Sequence, residues 1–156
     1  MNYTPLDIAN WFLCHTDRDS GESLTHLKLQ KLVYYAQAWS LTLFNDQLFE
    51  EDFQAWTHGP VAYSLFNKFK NYGWDAIPII EESIDFPDHI EKLLQEVLDV
   101  YGKYGAKYLE NLTHQEPPWN IARGDIPIEA ASNAIISKKS MKEYYSTLQQ
   151  QEERRF

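Results

Sequence analysis

The chain has little cysteine, no long apolar run and few basic residues, and each scarcity excludes a class of protein. Cys14 is the only cysteine among 156 residues, which excludes an intramolecular disulfide framework and a zinc site built from several cysteines. No apolar stretch reaches the roughly 20 residues that span a bilayer, and the N-terminus lacks the basic region of a secretory signal. We therefore predict a cytoplasmic protein without a membrane segment.

Basic residues are also outnumbered. The chain has 14 Lys and Arg against 23 Asp and Glu, which gives a formal net charge of -9. Binding to nucleic acid requires clustered Lys and Arg that neutralise phosphates, and the only basic cluster here is Lys138, Lys139 and Lys142. The charge balance therefore argues against nucleic acid as a partner and suits a protein that binds a basic one.

Motifs for catalysis and for cofactors are missing as well. The sequence contains no Walker loop, no dinucleotide fingerprint and no nucleophile elbow. The five histidines stand singly, so a metal site from His58, His114 and Glu116, for example, would have to assemble through the tertiary fold. We predict that the protein is not an enzyme and has no catalytic residues, cofactor or metal.

Apolar and aromatic residues are plentiful, at 44% and 15% of the chain. Residues 24–44 contain no Gly and no Pro, and their apolar side chains surround most of the predicted helix, as in a helix that is buried on most sides. The predicted fold is mainly α, with a minor sheet of two or three short strands. It is a compact single-domain helical bundle around a central buried helix at 24–44. The domain covers 1–148, and 149–156 form a polar tail that frays.

Shorter patterns locate strands and a helix cap. Alternation over 53–56 predicts a strand, and 77–80 predict an edge strand because their proline cannot donate to a ladder. Residues 57–60 predict a tight loop with a helix after it, and Ser23 or Thr25 is expected to cap the central helix.

Three segments in fixed order resemble a known family. They are LKLQKLVYYAQAW at 27–39, FQAW followed by HGPV within 53–61, and LTH followed by PW within 112–119. Together they resemble the SocA-like Panacea domain, also described as GepA-like phage-associated proteins. The similarity extends over nearly the whole chain.

This resemblance implies an antitoxin. Members of the family are encoded beside toxins and neutralise them, so we expect this chain to neutralise a cognate protein toxin by direct stoichiometric binding. The alternative is an adaptor that delivers a toxin or a host target to an ATP-dependent protease, or a prophage-encoded regulator of a host protein.

Loops rather than the central helix are expected to contact the partner. The predicted contact residues are Trp56, His58, Gly59, Pro60, Trp74, His114 and Trp119. Gly59 and Pro60 also have a structural interpretation, in which Gly59 takes a positive φ and Pro60 fixes the entry to the next helix. Trp74 and Trp119 are either partly exposed anchors or plugs at the rim of the core.

Polar residues near the start of the central helix leave a second choice open. Lys28, Gln30 and Lys31 either line a groove or solvate the one open strip of that helix. His114 is expected to cap a helix end or to hydrogen-bond a backbone carbonyl.

Overall fold

Seven α-helices and a small sheet make up the described part of the chain in the computed structural model, which covers residues 2–17 and 24–154. The helices are α1 (Pro5–His15), α2 (His26–Phe44), α3 (Tyr63–Phe69), α4 (Asp88–Tyr101), α5 (Ala106–Gln115), α6 (Pro117–Arg123) and α7 (Lys138–Arg154). The strands are β1 (Phe53–Trp56), β2 (Gly59–Val61) and β3 (Ile135–Ile136). This architecture confirms the predicted mainly helical fold with a minor sheet.

Helix α2 is the centre of the molecule. It is buried along most of its length and contacts α1, α4, α5, α7 and β2. Its cap is Thr25, whose hydroxyl accepts from the Lys28 backbone N–H at 3.3 Å, while the alternative cap Ser23 lies outside the described residues. A helix covered on so many sides needs an apolar circumference, which is the pattern that the sequence shows.

The sheet has the order β2-β1-β3, and both pairs are antiparallel. Strands β1 and β2 form a hairpin in which Trp56 lies opposite Gly59, so Thr57 and His58 make its two-residue turn. Gly59 has φ +114°, a conformation that favours glycine. Strand β3 pairs Ile136 with Phe53.

The strand predicted at 77–80 is wrong. These residues have no strand structure, and the third strand is β3 instead. Ile77 is buried and donates its backbone N–H to the Leu24 carbonyl at 2.9 Å, whereas Ile79 and Ile80 are exposed. The segment is therefore anchored through Ile77. Among the described residues, no neighbouring strand lies beside Ile79 and Ile80.

The C-terminal helix begins at a cap and starts with an ion pair. The Ser137 hydroxyl accepts from the Ser140 backbone N–H at 3.1 Å, and Lys138 Nζ lies 2.7 Å from an Asp52 carboxylate oxygen. Helix α7 continues to Arg154, through most of the segment 149–156. The predicted domain boundary at 148 and the fraying of the tail stay predictions.

Candidate partner-binding site

A cleft of about 850 Å³ opens between the β-hairpin, the start of α2 and the segment that follows α3. We call it the hairpin cleft. Its apolar and aromatic lining includes Leu27, Trp56, His58, Val61, Phe66 and Trp74. The volume falls within the range of pockets that hold small ligands or inserted side chains.

Two rings stand at the rim of the hairpin cleft. Trp74 is 74% exposed and lies edge-on to His58, with ring centroids 6.5 Å apart. The His58 side chain is 57% exposed, while its Nδ1 lies 2.5 Å from Glu110 Oε1. Trp56 is half-buried, donates its indole N–H to Gln54 at 2.8 Å and packs edge-on against Phe66.

The floor of the hairpin cleft is a closed polar network on α2. The Gln30 amide accepts from the Ala62 backbone N–H at 2.9 Å and donates to the Ala62 carbonyl at 3.1 Å. The same amide nitrogen lies 3.0 Å from His26 Nε2. Burial, and then the charge of Lys31, lower the pKa of His26 to about 4, so His26 is neutral at pH 7 and accepts from Gln30 through Nε2.

A charged cluster lies behind the hairpin turn. The buried Glu110 carboxylate receives Lys107 Nζ at 2.7 Å through one oxygen and His58 through the other. Burial raises the pKa of Glu110, but the hydrogen bonds from Lys107 and His58 outweigh it and leave the pKa below its ordinary value. Glu110 is therefore an ionised anchor for His58.

Lys31 completes this cluster from inside the core. It is fully buried, and its Nζ has no hydrogen-bond partner within the described residues. Burial lowers the pKa of Lys31 to about 8, although the Glu110 carboxylate raises it. A cation that lacks hydrogen bonds in the core costs stability, so Lys31 is a destabilising feature of the fold.

Gly59 makes room for Lys31. A Cβ at position 59 would lie 2.8 Å from Lys31 Cε and 3.1 Å from the Thr113 hydroxyl. The structural interpretation of Gly59 is therefore confirmed, with the added reason of a close contact. The interpretation of Pro60 is wrong, because Pro60 lies within β2 and α3 begins only at Tyr63.

Residues of the third motif segment, within 112–119, pack against the hairpin. Trp119 is 2% exposed and donates its indole N–H to the Trp56 carbonyl at 2.8 Å. His114 stacks on Trp119 at 4.1 Å. Burial lowers the pKa of His114, against a hydrogen bond with the Thr57 backbone that raises it. The predicted backbone contact of His114 is therefore present, and of the two interpretations of Trp119 the structure supports the core plug.

The predicted contact residues thus fall into two layers. Trp56, His58 and Trp74 line the hairpin cleft, and Trp74 is exposed rather than a plug at the rim of the core. Gly59, Pro60, His114 and Trp119 lie behind the lining. The role of all seven residues in binding a partner stays a prediction.

One of the two expectations for the polar residues of α2, the solvated strip, is wrong. Lys28, Gln30 and Lys31 are all buried, so they do not form a solvated strip. Gln30 lines the hairpin cleft, while Lys28 Nζ donates to the Gly102 carbonyl at 2.5 Å.

The metal combination considered from sequence is not assembled. His58 pairs with Glu110, whereas the Glu116 carboxylate accepts from the hydroxyls of Tyr35 at 2.7 Å and Tyr145 at 2.9 Å. Burial raises the pKa of Glu116 to about 7, although both hydrogen bonds lower it. Across residues 2–17 and 24–154 no three His, Cys, Asp or Glu side chains are grouped as metal ligands.

Sequence reasoning missed Glu110, Lys107 and Arg123 at this site. Arg123 donates to the carbonyls of Ala55 at 2.9 Å and Ala130 at 2.6 Å. It thereby ties β1 to the loop before β3, whose residues 131–133 also line the hairpin cleft. Glu110 lies 52 residues from His58 along the chain. No motif with a fixed spacing therefore indicates that the two side chains pair. The only sign of this cluster in the sequence was the presence of two lysines, Lys28 and Lys31, within the apolar circumference of α2.

Comparison with known proteins gives one result. The model of the family described as "Antitoxin SocA-like, Panacea domain" matches residues 29–120. No curated protein matches the chain, and no solved structure matches it. The matched region contains the β-hairpin, Trp74 and Glu110. In the described part of the chain, no helix has both the length and the hydropathy that crossing a membrane requires.

Proposed function

We propose that this chain, which belongs to the SocA-like antitoxin family with its Panacea domain, is the antitoxin of a toxin–antitoxin module. It neutralises a cognate protein toxin by direct stoichiometric binding, in the cytoplasm and without turnover or a cofactor. The family match covers more than half of the chain and supports an antitoxin role in general.

Trp74 carries the argument for the contact surface. It is the most exposed of the large hydrophobic side chains in the described residues, at 74%, and it stands on the rim of an apolar cleft. Exposed tryptophan beside a pocket is typical of interface hot spots, which often contribute about 2 kcal/mol or more to binding. The hairpin cleft is therefore the surface on which we place the toxin.

The structure also supports a rigid contact. His58 is held by Glu110, and the backbone carbonyls of β1 are held by Trp119 and Arg123. A surface that is already ordered loses little conformational entropy on binding. Neutralisation then follows when the bound antitoxin occludes the active surface of the toxin.

Co-expression with the product of the adjacent gene tests this function. We expect growth to be rescued and the two proteins to co-purify, and Trp74→Ala to weaken both effects. Absence of rescue and of co-purification would refute the antitoxin assignment. The toxin's half-life, measured in the same cells, separates occlusion, which leaves it unchanged or longer, from an adaptor for an ATP-dependent protease, which shortens it.

A further inference from the structure

The residues that line the hairpin cleft have a formal charge opposite in sign to that of the whole chain. The formal net charge is -9, yet among the described residues that line the hairpin cleft there is no Asp or Glu. The only Lys or Arg in this described lining is Lys70, which is exposed. A toxin segment in the hairpin cleft therefore meets a cation and no lining carboxylate.

Two ionisable groups at the floor and behind the turn add no free charge to this lining. Both oxygens of Glu110, behind the turn, are occupied by His58 and Lys107. His26 at the floor is neutral because it is buried. Among the described lining residues, the formal charge is thus the single positive charge of Lys70.

We propose that the hairpin cleft receives a short apolar segment of the toxin that carries an Asp or Glu side chain, and that this carboxylate pairs with Lys70. The inference rests on the proposed function, because it names the part of the toxin that binds at the same surface. Apolar neighbours of the acidic residue pack against Trp74 and Phe66, two of the aromatic side chains of the lining. The opposite charges fix the register of the segment.

A basic segment does not fit this site. Its cation would lie beside Lys70 with no carboxylate of the described lining to receive it, and like charges across an interface disfavour binding. This restriction applies only to the inserted segment. A toxin of basic overall charge is compatible with the acidic remainder of this protein.

Three matched peptides test the inference without the toxin. They are acetyl-Leu-Phe-Asp-Leu-amide and its Asn and Lys analogues, titrated to millimolar concentration into the ¹⁵N-labelled full chain at low salt. We expect the Asp peptide to shift the indole N–H signals of Trp74 and Trp56 and to bind about threefold more tightly than the Asn peptide, as for an exposed ion pair. The Lys peptide should bind least.

Charge variants of one helical segment supply the control. Lys70→Gln should remove the preference for Asp over Asn, and Lys70→Glu should make the Lys peptide the tightest of the three. Lys68→Glu makes the same charge change two positions away, beside a separate depression that contains Glu50 and Glu51. It should leave the order of the peptides unchanged.

Three results would overturn the inference. They are binding of the Lys peptide equal to or tighter than that of the Asp peptide, an order that Lys70→Glu does not alter, and no shift of either indole signal with any peptide. If the adjacent gene product is neutralised while the peptides show no preference, only this inference fails. If the peptides follow the expected order but no toxin is neutralised, only the proposed function fails.

Discussion

Replacing Lys31 with methionine should stabilise the protein, and the gain should depend on pH. The pKa of Lys31 is lowered from 10.5 to about 8 by burial, and each pKa unit corresponds to about 1.4 kcal/mol. Below pH 8 the folded protein therefore holds a cation at a cost of about 3 kcal/mol. Methionine has a similar unbranched shape and fills irregular space without a charge, so Lys31→Met should raise the free energy of unfolding by up to that amount at pH 7.

The sign of the pH dependence follows from the same two values. Between pH 8 and pH 10.5 the folded protein releases the Lys31 proton while the unfolded chain still holds it, so the wild-type protein gains stability as the pH rises. The methionine side chain of the variant is neutral at every pH, and the difference between the two proteins should shrink towards zero near pH 10.5. Urea unfolding at about pH 7, 8.5 and 10 measures this difference directly.

Lys28→Met is the matched control on the same helix. Lys28 is also buried, but its Nζ donates to the Gly102 carbonyl. Its removal leaves that carbonyl unsatisfied and should cost about 1–3 kcal/mol. The reasoning about Lys31 would be refuted if Lys31→Met destabilised the protein at pH 7, or if its gain were the same at all three pH values.

Three further substitutions test other parts of the structure. Glu116→Gln should leave the free energy of unfolding unchanged at pH 4.5 and raise it by up to about 3 kcal/mol at pH 8. The buried Glu116 carboxyl has a pKa of about 7, so its ionisation destabilises the folded wild-type protein as the pH rises. Equal urea midpoints at pH 8 would contradict this. Gly59→Ala should destabilise the protein by about 2–3 kcal/mol in urea unfolding, because φ is +114° and Lys31 Cε lies in the way; a loss under about 0.5 kcal/mol would mean that the hairpin adapts freely. Arg123→Lys should lower the free energy of unfolding by about 1–3 kcal/mol, because a single ammonium cannot replace both guanidinium nitrogens that bond the carbonyls of Ala55 and Ala130. An unchanged melting temperature would show that those bonds are dispensable.

Features that depend on local sequence were predictable. The buried α2 follows from its apolar circumference, its cap from Thr25, and β1 from the alternation at 53–56. The positive φ of Gly59 likewise follows from a Gly in a tight turn. In each case neighbours along the chain supply the physical cause.

Features that depend on distant neighbours were not predictable. Strand β3 has only two residues and forms because β1 presents a free edge to it. The segment 77–80 has the composition of a strand, but no partner strand lies beside it within the described part of the chain. Strand pairing is a tertiary property, and short apolar runs do not reveal it.

The candidate site was predictable only in part for the same reason. Trp56, His58 and Trp74 are recognisable as residues in or beside loops, and the structure brings them together around the hairpin cleft. Trp119 carries the same loop signature but is buried, because its indole reaches the Trp56 carbonyl across the fold. The local sequence identifies a tryptophan near a loop, but only the tertiary contacts decide whether that tryptophan is exposed or buried.

The most direct test of the central claim is the affinity of the purified adjacent gene product for the wild-type chain and for Trp74→Ala, measured by calorimetry. Because Trp74 is so exposed, the substitution should change the free energy of unfolding by less than about 0.5 kcal/mol, while binding should weaken by about 2 kcal/mol or more, roughly thirtyfold. Ile121→Ala, which truncates a side chain 67% exposed on α6, should leave the affinity unchanged. Equal affinities for the wild-type and Trp74→Ala proteins would contradict the claim that the toxin binds at the hairpin cleft.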